Sequence, residues 1–544
     1  MLLDKIKSIL GENAILEHPK VEVFGDWSCN LARLKLGSDE VIKLLSELRK
    51  IEDIEDVEIK NGSFLNIRLR NEYFSNTLDR LLKNGVKSVI PLALDDKRVI
   101  IDYSSPNIAK FFGIGHLRST IIGQAIYNLI KFLGAEVIGD NHLGDWGTQF
   151  GKLLFMIDKE KLVDFDLGKL EELYVEYHKH PEWEEEGQKW FKKLESGDNQ
   201  AKELWNKCVE VSMIEFKRIY DMLGVNIDMA LGESFYEDKM GEIVKLGSES
   251  QGARIIEIEG SKTPLMILKS DGGTTYATRD LATLKYRVEK WDPEVIIYEV
   301  GAEQTEYFKL LFAAAKKYQI VKEKTKLVHT RHGMYLGSDG KKFKTRTGNT
   351  VRLKDVLNEA IERARKLGNN DDKTAQAVGI GAIKYFDLMH GVQGDIVFEW
   401  EKVMNLEGNS GPYLQYTFAR TQSVLAKSQL SMTNDQSISN FQFSNYAFND
   451  LEVSILRWLE RFPEVVVEAG QRYAPNMICT YLYELAQRYN SFYNKYSILN
   501  MQGDPALREQ NSIVRDFRLM LTAAVGEILK TGLGLLGIEA LERM

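Results

Sequence analysis

The chain has 544 residues and a formal net charge of −8, with 44% hydrophobic and 28% charged residues and only 10 prolines. That length exceeds one comfortable hydrophobic core and points to three or four units, while the composition excludes a chain dominated by disorder or low complexity. The acidic balance excludes a generic nucleic-acid binder, though local cationic clusters can still hold phosphate. Three cysteines, Cys29, Cys208 and Cys479, lie far apart and argue against a disulfide framework or a Cys-x-x-Cys zinc site. No run of apolar residues is long enough to span a bilayer, and the start of the chain does not read as a signal segment. A cytoplasmic protein with no structural metal and no membrane contact is therefore expected.

In chain order, residues 1–90 hold a helical start, a glycine-punctuated stretch near Gly25, a helix pattern from Asp39 to Glu52 and an alternating run from Asn61 to Leu69. They read as a small α/β domain. Next, Arg98-Val-Ile-Ile-Asp-Tyr103 is a β-branched run suited to a buried parallel strand, and Leu117, Ile121, Ile122, Ala125, Ile126 and Leu129 fall at helical spacing. Between them, Ser104 to Thr120 joins strand to helix. Gly113 and Gly115 let backbone approach a ligand, and the helix start offers free N–H groups and a positive dipole end, so a phosphate is the natural guest. Asn107, Lys110, His116 and Arg118 crowd polar and cationic groups around this loop.

Further strands, Val137–Asp140 and Val295–Val300, alternate with helices, so residues 91–404 are expected to form a doubly wound parallel sheet. Within it, 158–241 is charged and helix-prone, including Glu184-Glu-Glu186, and reads as a solvated helical insertion. Lys341-Lys-Phe-Lys-Thr-Arg346 packs four cations into six residues, about 220 positions after the first loop. From 405 to 544 helical periodicity takes over, with Leu521, Val525, Ile528, Leu529 and Leu533 on one stripe, and an all-α bundle is expected.

Gly113-Ile-Gly-His116 is similar to the HIGH signature of class I aminoacyl-tRNA synthetases, and Ser104-Ser-Pro-Asn-Ile-Ala-Lys110 before it resembles the arginyl family. Gly337-Ser-Asp-Gly-Lys-Lys-Phe-Lys-Thr-Arg-Thr-Gly348 is similar to the KMSK loop. Asn141–Gly151, Tyr276–Asp280, Gly301–Phe308 and Glu407–Tyr416 carry the likeness across nearly the whole chain. It implies a Rossmann-like catalytic core between a small N-terminal domain that meets tRNA and an anticodon-binding bundle. The implied reaction activates arginine with ATP and Mg²⁺ to an arginyl adenylate, then transfers it to tRNA(Arg). The family resemblance further implies that tRNA binds before activation and that no editing domain is present; a monomer is expected.

Carried onto this sequence, the resemblance makes Lys110, His116, Lys342 and Lys344 the catalytic candidates, because attack on the α-phosphate concentrates charge on the leaving pyrophosphate. ATP would meet Gly113, Gly115, His116, Gly301, His332, Met334 and Lys342. Arginine would meet Tyr276, Asp280 and Gln304 at its side chain and Asp102 and Asn107 at its α-carbon end. A planar carboxylate such as Asp280 is the natural acceptor for a guanidinium fork, and Tyr276 lies one helical turn before it. For tRNA, Asn61, Phe64 and Asn66 correspond to residues that meet the D-loop, and Tyr413, Tyr416, Arg420, Tyr489 and Tyr493 offer aromatics and a cation to anticodon bases.

Two departures stand out. Gly113 replaces the first histidine of HIGH, and Thr345 stands where KMSK usually has its second lysine, a change the resemblance pairs with Lys110 upstream. Two rival readings stay open. One is a HIGH-type nucleotidyltransferase that moves AMP onto a small acceptor, against which the helical C-terminal third and the Tyr276/Asp280 pair argue. The other is a non-catalytic RNA-binding relative, against which His116, Lys110 and the lysine-rich loop argue.

Overall fold

The computed structural model describes residues 2–11, 13–19, 21–337, 339–341, 351–368, 371–428, 446, 448–499 and 508–544. Lys342 and Lys344 lie outside the described residues.

The N-terminal unit is a four-stranded antiparallel sheet in the order β1-β2-β4-β3, formed by β1 (Leu16–Glu17), β2 (Trp27–Asn30), β3 (Ile54–Lys60) and β4 (Phe64–Leu69). The alternating run becomes β4, whose Leu65, Ile67 and Leu69 are buried. Asn61 and Gly62 turn the β3–β4 hairpin with φ of 50° and 73°, the left-handed region that Asn and Gly tolerate best.

The central sheet is parallel throughout, with β11 (Lys326–His329), β10 (Val295–Glu299), β5 (Arg98–Tyr103) and β6 (Glu136–Asp140) side by side in that order. It begins with β5 (Arg98–Tyr103), passes through the helix Ile114–Phe132 and returns as β6 (Glu136–Asp140). β5 is buried almost from end to end, as a β-branched strand covered on both faces should be. Gly123 lets the helix pass close over the sheet: a Cβ there would stand 2.4 Å from both Cβ and Cγ of Tyr103.

The insertion is a set of helices at Thr148–Lys159, Leu167–Tyr177, Glu184–Glu195 and Asn199–Leu223. It starts about ten residues earlier than expected, and it is more than a solvated appendage: Phe150, Leu154, Leu170, Tyr177, Trp190 and Phe216 bury an apolar seam of its own. After it come three short antiparallel strands that the sequence did not announce, β7 (Ser248–Ser250), β8 (Ala253–Ile256) and β9 (Leu265–Leu268). The helix Tyr276–Trp291 then leads to β10 (Val295–Glu299), which pairs with the free side of β5, and the helix Thr305–Lys317 leads to β11 (Lys326–His329).

Because β6 lies on one side of β5 and β10 on the other, the chain changes direction between β5 and β10. Such a switch point leaves a crevice at the carboxyl ends of the strands. Asp102, Asp140 and Glu299 stand at those ends.

Helices at Leu353–Gly368 and Asp372–Leu388 lead into the bundle of Gly411–Ser428, Asp450–Arg472, Asn476–Lys495 and Arg508–Leu535. Leu521, Val525, Ile528, Leu529 and Leu533 are all buried, as their spacing predicted. One continuous apolar cluster runs from the N-terminal sheet through the Ile114–Phe132 helix, the insertion and the bundle, and a second fills the far face of the parallel sheet.

Candidate functional site

The loop after β5 is unusually contorted for residues that carry a Cβ. Ser104, Ser105 and Ala109 have φ of 73°, 35° and 62°, each costing about 1 kcal/mol or more. Hydrogen bonds hold the loop in place. The Ser104 N–H donates to Ser119 Oγ at 2.9 Å, the Ser105 hydroxyl donates to Asp102 Oδ1 at 3.0 Å, and the Ala109 N–H donates to Ser212 Oγ at 2.9 Å. Ser119 Oγ also donates to the carbonyl of Glu299 at 2.6 Å, which locks the two strands of the switch point to one helix. Asn107 is exposed and its Oδ1 would lie 2.2 Å from a Cβ on Gly144, so only glycine there leaves that side chain its place.

Gly113 caps the helix with φ −87° and ψ 161°, extended backbone open to any residue, so conformation does not demand glycine at this point. Its N–H donates to His116 Nδ1 at 3.2 Å, and His116 packs edge-on to Phe112. A Cβ on Gly115 would meet nothing within 4 Å, which leaves the first turn open to a guest. Arg118 is a different matter. It is buried, reaches Asp387 and donates to the carbonyl of Gly394 at 2.6 Å, so it braces the Asp372–Leu388 helix and does not face the loop.

The two signatures meet. The Ile114 N–H donates to the Val351 carbonyl at 2.9 Å and the Leu353 N–H to the Phe112 carbonyl at 2.8 Å, so the residues just after the lysine-rich loop pair with the start of the glycine–histidine helix. Arg352, between them, stacks on Phe111 with 4.0 Å to the ring centroid and donates to Glu171 of the insertion at 2.6 Å. Lys110 is exposed, its Nζ 5.5 Å from the Tyr174 ring centroid.

Next to the loop lies a cluster of carboxylates around Arg287, with Asp280 close to Asp102. Arg287 is fully buried and donates to Asp102 at 2.6 Å and Asp140 at 2.7 Å; burial works against its charge, and the two carboxylates more than offset that. Asp102, expected at the α-amino end of arginine, is thus held by Arg287 and by Ser105. Asp280 accepts from the Tyr307 hydroxyl and lies 3.8 Å from His142 Nε2. Burial raises its carboxyl above the usual carboxylate range, partly offset by His142 and Tyr307.

Glu233 is pushed up to about 7, first by burial and then by Asp280 and Asp145, against the pull of Arg279 and His142. Two buried polar atoms here have no hydrogen-bond partner, Glu233 Oε2 and Asn141 Oδ1. Native interiors leave few such orphans.

Tyr276 and Asp280 occupy successive turns of one helix as expected, with Tyr276 67% exposed at its start. Gln304 ends an exposed turn just before the helix that carries Tyr307. Residues that sequence reasoning passed over are His142, Glu233, Arg287 and Tyr307. Arg287 stands seven positions after Asp280, two helical turns along the same face, and that spacing was a usable signal. Glu233, on a turn after the insertion, carried none.

The opposite rim is made by Gly301, His332 and Met334. Gly301 and His332 are paired through backbone, the Ala302 N–H donates to the His332 carbonyl at 2.8 Å, and Met334 is exposed. Among the described residues no group of three or more His, Cys, Asp or Glu is arranged to hold a metal ion, and no helix is long and apolar enough to cross a membrane.

Two outlying surfaces carry the residues expected to meet RNA. Asn61 and Phe64 are exposed at the hairpin tip, but Asn66 is buried in the middle of β4 between β2 and β3, so it is not offered to a base. In the bundle, Tyr416, Arg420 and Tyr493 line an open groove of about 1250 Å³, with the Arg420 guanidinium 5.0 Å and 4.8 Å from the two ring centroids. Tyr413 is partly buried and accepts from Asn490 at 2.9 Å. Tyr489 is fully buried, a core residue whose ring is not available for stacking.

Residues 77–400 match the tRNA synthetases class I (R) catalytic domain, and 414–544 match the DALR anticodon binding domain. Fold and crevice therefore define a class I synthetase. An arginine–tRNA ligase of Halothermothrix orenii is 37% identical, with 89% of this chain and 87% of that protein covered; one of Exiguobacterium sibiricum is 37% identical, with 100% and 98% covered. The crystal structure of arginyl-tRNA synthetase from Plasmodium falciparum superposes with a TM-score of 0.84 at 26% identity, covering 100% of this chain and 99% of that one. The chain belongs to the arginine–tRNA ligase family.

Proposed function

We propose that the protein joins arginine to tRNA(Arg) at the expense of ATP, in two steps within the switch-point crevice. The arginine carboxylate attacks the α-phosphorus of ATP, forming the arginyl adenylate and releasing pyrophosphate. The terminal ribose hydroxyl of tRNA then attacks the acyl carbon and releases AMP. Neither step needs a protein nucleophile, so the enzyme's task is positioning and charge stabilisation.

The observation that carries this reading is the carboxylate cluster of Asp280 and Glu233 near the glycine–histidine loop, which would set a cation against a phosphate. The triphosphate lies over Gly113, Gly115 and His116, with its nucleoside toward Gly301, His332 and Met334. Lys110, Lys342 and Lys344 neutralise the departing pyrophosphate. Mg²⁺ would enter with ATP as part of the substrate complex.

Asp280, with Tyr276 and Tyr307 beside it, receives the guanidinium; Glu233 supplies the second charge; Asn107, Gln304 and the Asp102–Arg287 pair define the α-carbon end. Lysine is rejected because a point charge leaves a forked acceptor unsatisfied. The hairpin tip with Asn61 and Phe64, the groove with Tyr416, Arg420 and Tyr493, and Tyr413 near it hold the tRNA. The protein acts as a monomer in the cytoplasm.

The test is arginine-dependent ATP–pyrophosphate exchange, with and without tRNA(Arg), using lysine and citrulline as controls. Exchange with arginine and tRNA together, and none with citrulline, is expected. Absence of exchange despite tight tRNA binding would favour the non-catalytic relative, with Gly113 as the reason. Asp280→Asn is expected to raise the KM for arginine by about a hundredfold or more while leaving that for ATP near its original value.

A further inference from the structure

Glu299 ends β10 at the switch point and is completely shielded from solvent. Both its oxygens are engaged: Oε1 lies 2.8 Å from His332 Nδ1, and Oε2 accepts from the Thr330 hydroxyl. Among the described residues its ion-pair partner is His332, with no lysine or arginine beside it.

Burying a carboxylate is costly, and an apolar residue would complete a parallel strand at no such cost. The arrangement is therefore informative about the imidazole it holds. The ring is rooted by backbone pairing to Gly301 and keeps 12% of its side chain accessible at the rim of the crevice. With Nδ1 committed to the carboxylate, Nε2 is the nitrogen left to face a ligand.

We propose that Glu299 is a positioning residue for the nucleotide: by holding Nδ1 it fixes the ring of His332 so that Nε2 faces ATP bound over Gly113–His116. Gly113 offers no side chain to that guest, and the Glu299–His332 pair puts an imidazole on the opposite rim. This rests on the ATP site of the proposed function. It concerns ATP alone, so it can be tested apart from arginine and tRNA.

The experiment is calorimetric titration of the full chain with ATP and Mg²⁺, no arginine or tRNA present, for Glu299→Gln, His332→Ala and the double variant, each checked for native melting. Each single variant is expected to bind ATP about tenfold more weakly, and the double variant no more weakly than His332→Ala. In exchange assays the loss should fall on the KM for ATP and spare that for arginine. Unchanged ATP affinity in Glu299→Gln, or a loss undiminished in the His332→Ala background, overturns the proposal. Should Glu299→Gln unfold, His332→Ala decides alone: affinity within about twofold of the parent overturns it. A protein that binds ATP as described yet activates no arginine would refute the ligase reading and leave this inference standing.

Discussion

On the proposed reading, Glu233 gives the arginine site a charge that depends on pH in the working range. Its carboxyl is held at about 7, so it is ionised above neutrality and loses its charge as pH falls through that value. A guanidinium binds the ionised form, and its own charge in turn favours ionisation. The KM for arginine is therefore expected to rise roughly fivefold to tenfold between pH 8 and pH 6, measured by exchange at saturating ATP. In Glu233→Gln the KM should be high already at pH 8 and should change little over the same range. A flat profile in the parent protein would remove Glu233 from the pocket. At this scale the sequence was legible where spacing carried chemistry: Tyr276 and Asp280 sit on one helix, and the glycines flank a helix start. It was misleading where one residue type serves two ends. Arg118 and Tyr489 look like ligand groups in the sequence, and their burial against Asp387 and Thr522 makes them part of the frame.

The element that organises the crevice is the helix Ile114–Phe132, which begins at the phosphate loop and lies across β5. Its close approach depends on Gly123. In Gly123→Ala the new methyl would fall 2.4 Å from Tyr103, which is buried and bonded to the carbonyl of Asn226 at 2.7 Å, so either the ring or the helix must shift. A loss of about 1–3 kcal/mol is expected, seen as a melting temperature lower by several degrees. Gly115→Ala on the same helix meets nothing and should melt no earlier than the parent. If both variants melt alike, the close approach is not what constrains this helix. The parallel sheet was readable because its strands are β-branched and continuously apolar. The β7–β9 sheet was not, since strands of three or four residues with one open face show neither a buried run nor a sustained alternation. The early start of the insertion was hidden because the segment before Thr148 carries motif residues, and the helix after it buries its apolar side against the Glu184–Glu195 helix.

Across the whole molecule, the N-terminal unit is tied to the bundle by polar contacts to the helix Asp450–Arg472, and the helix Arg508–Leu535 also packs on its Asn71–Asn84 helix. Asp26 is bridged by Arg457 at 2.6 Å, His18 by Glu464 at 2.9 Å, and the Tyr73 hydroxyl donates to Glu460 at 2.9 Å. Burial, and next the neighbouring Glu464, push Glu460 up from 4.5 to about 7. A carboxyl whose pKa is raised on folding destabilises the folded state when it ionises: the cost is absent below the unfolded value of 4.5 and complete above about 7. Glu460→Gln, which keeps an acceptor for Tyr73, is therefore expected to raise stability by on the order of 1–3 kcal/mol at pH 8 and to change it little at pH 4.5. Thermal unfolding at the two pH values checks this, and equal shifts at both would show that charge is not the cause.

That shared helix also has a metrical consequence. The unit that carries Phe64 and the bundle that carries Tyr416 and Tyr493 both pack on that helix, which ties the two surfaces into one body. On the proposed reading the molecule works as a caliper. An RNA whose bend sets its two contact points too near or too far can satisfy one jaw only by leaving the other.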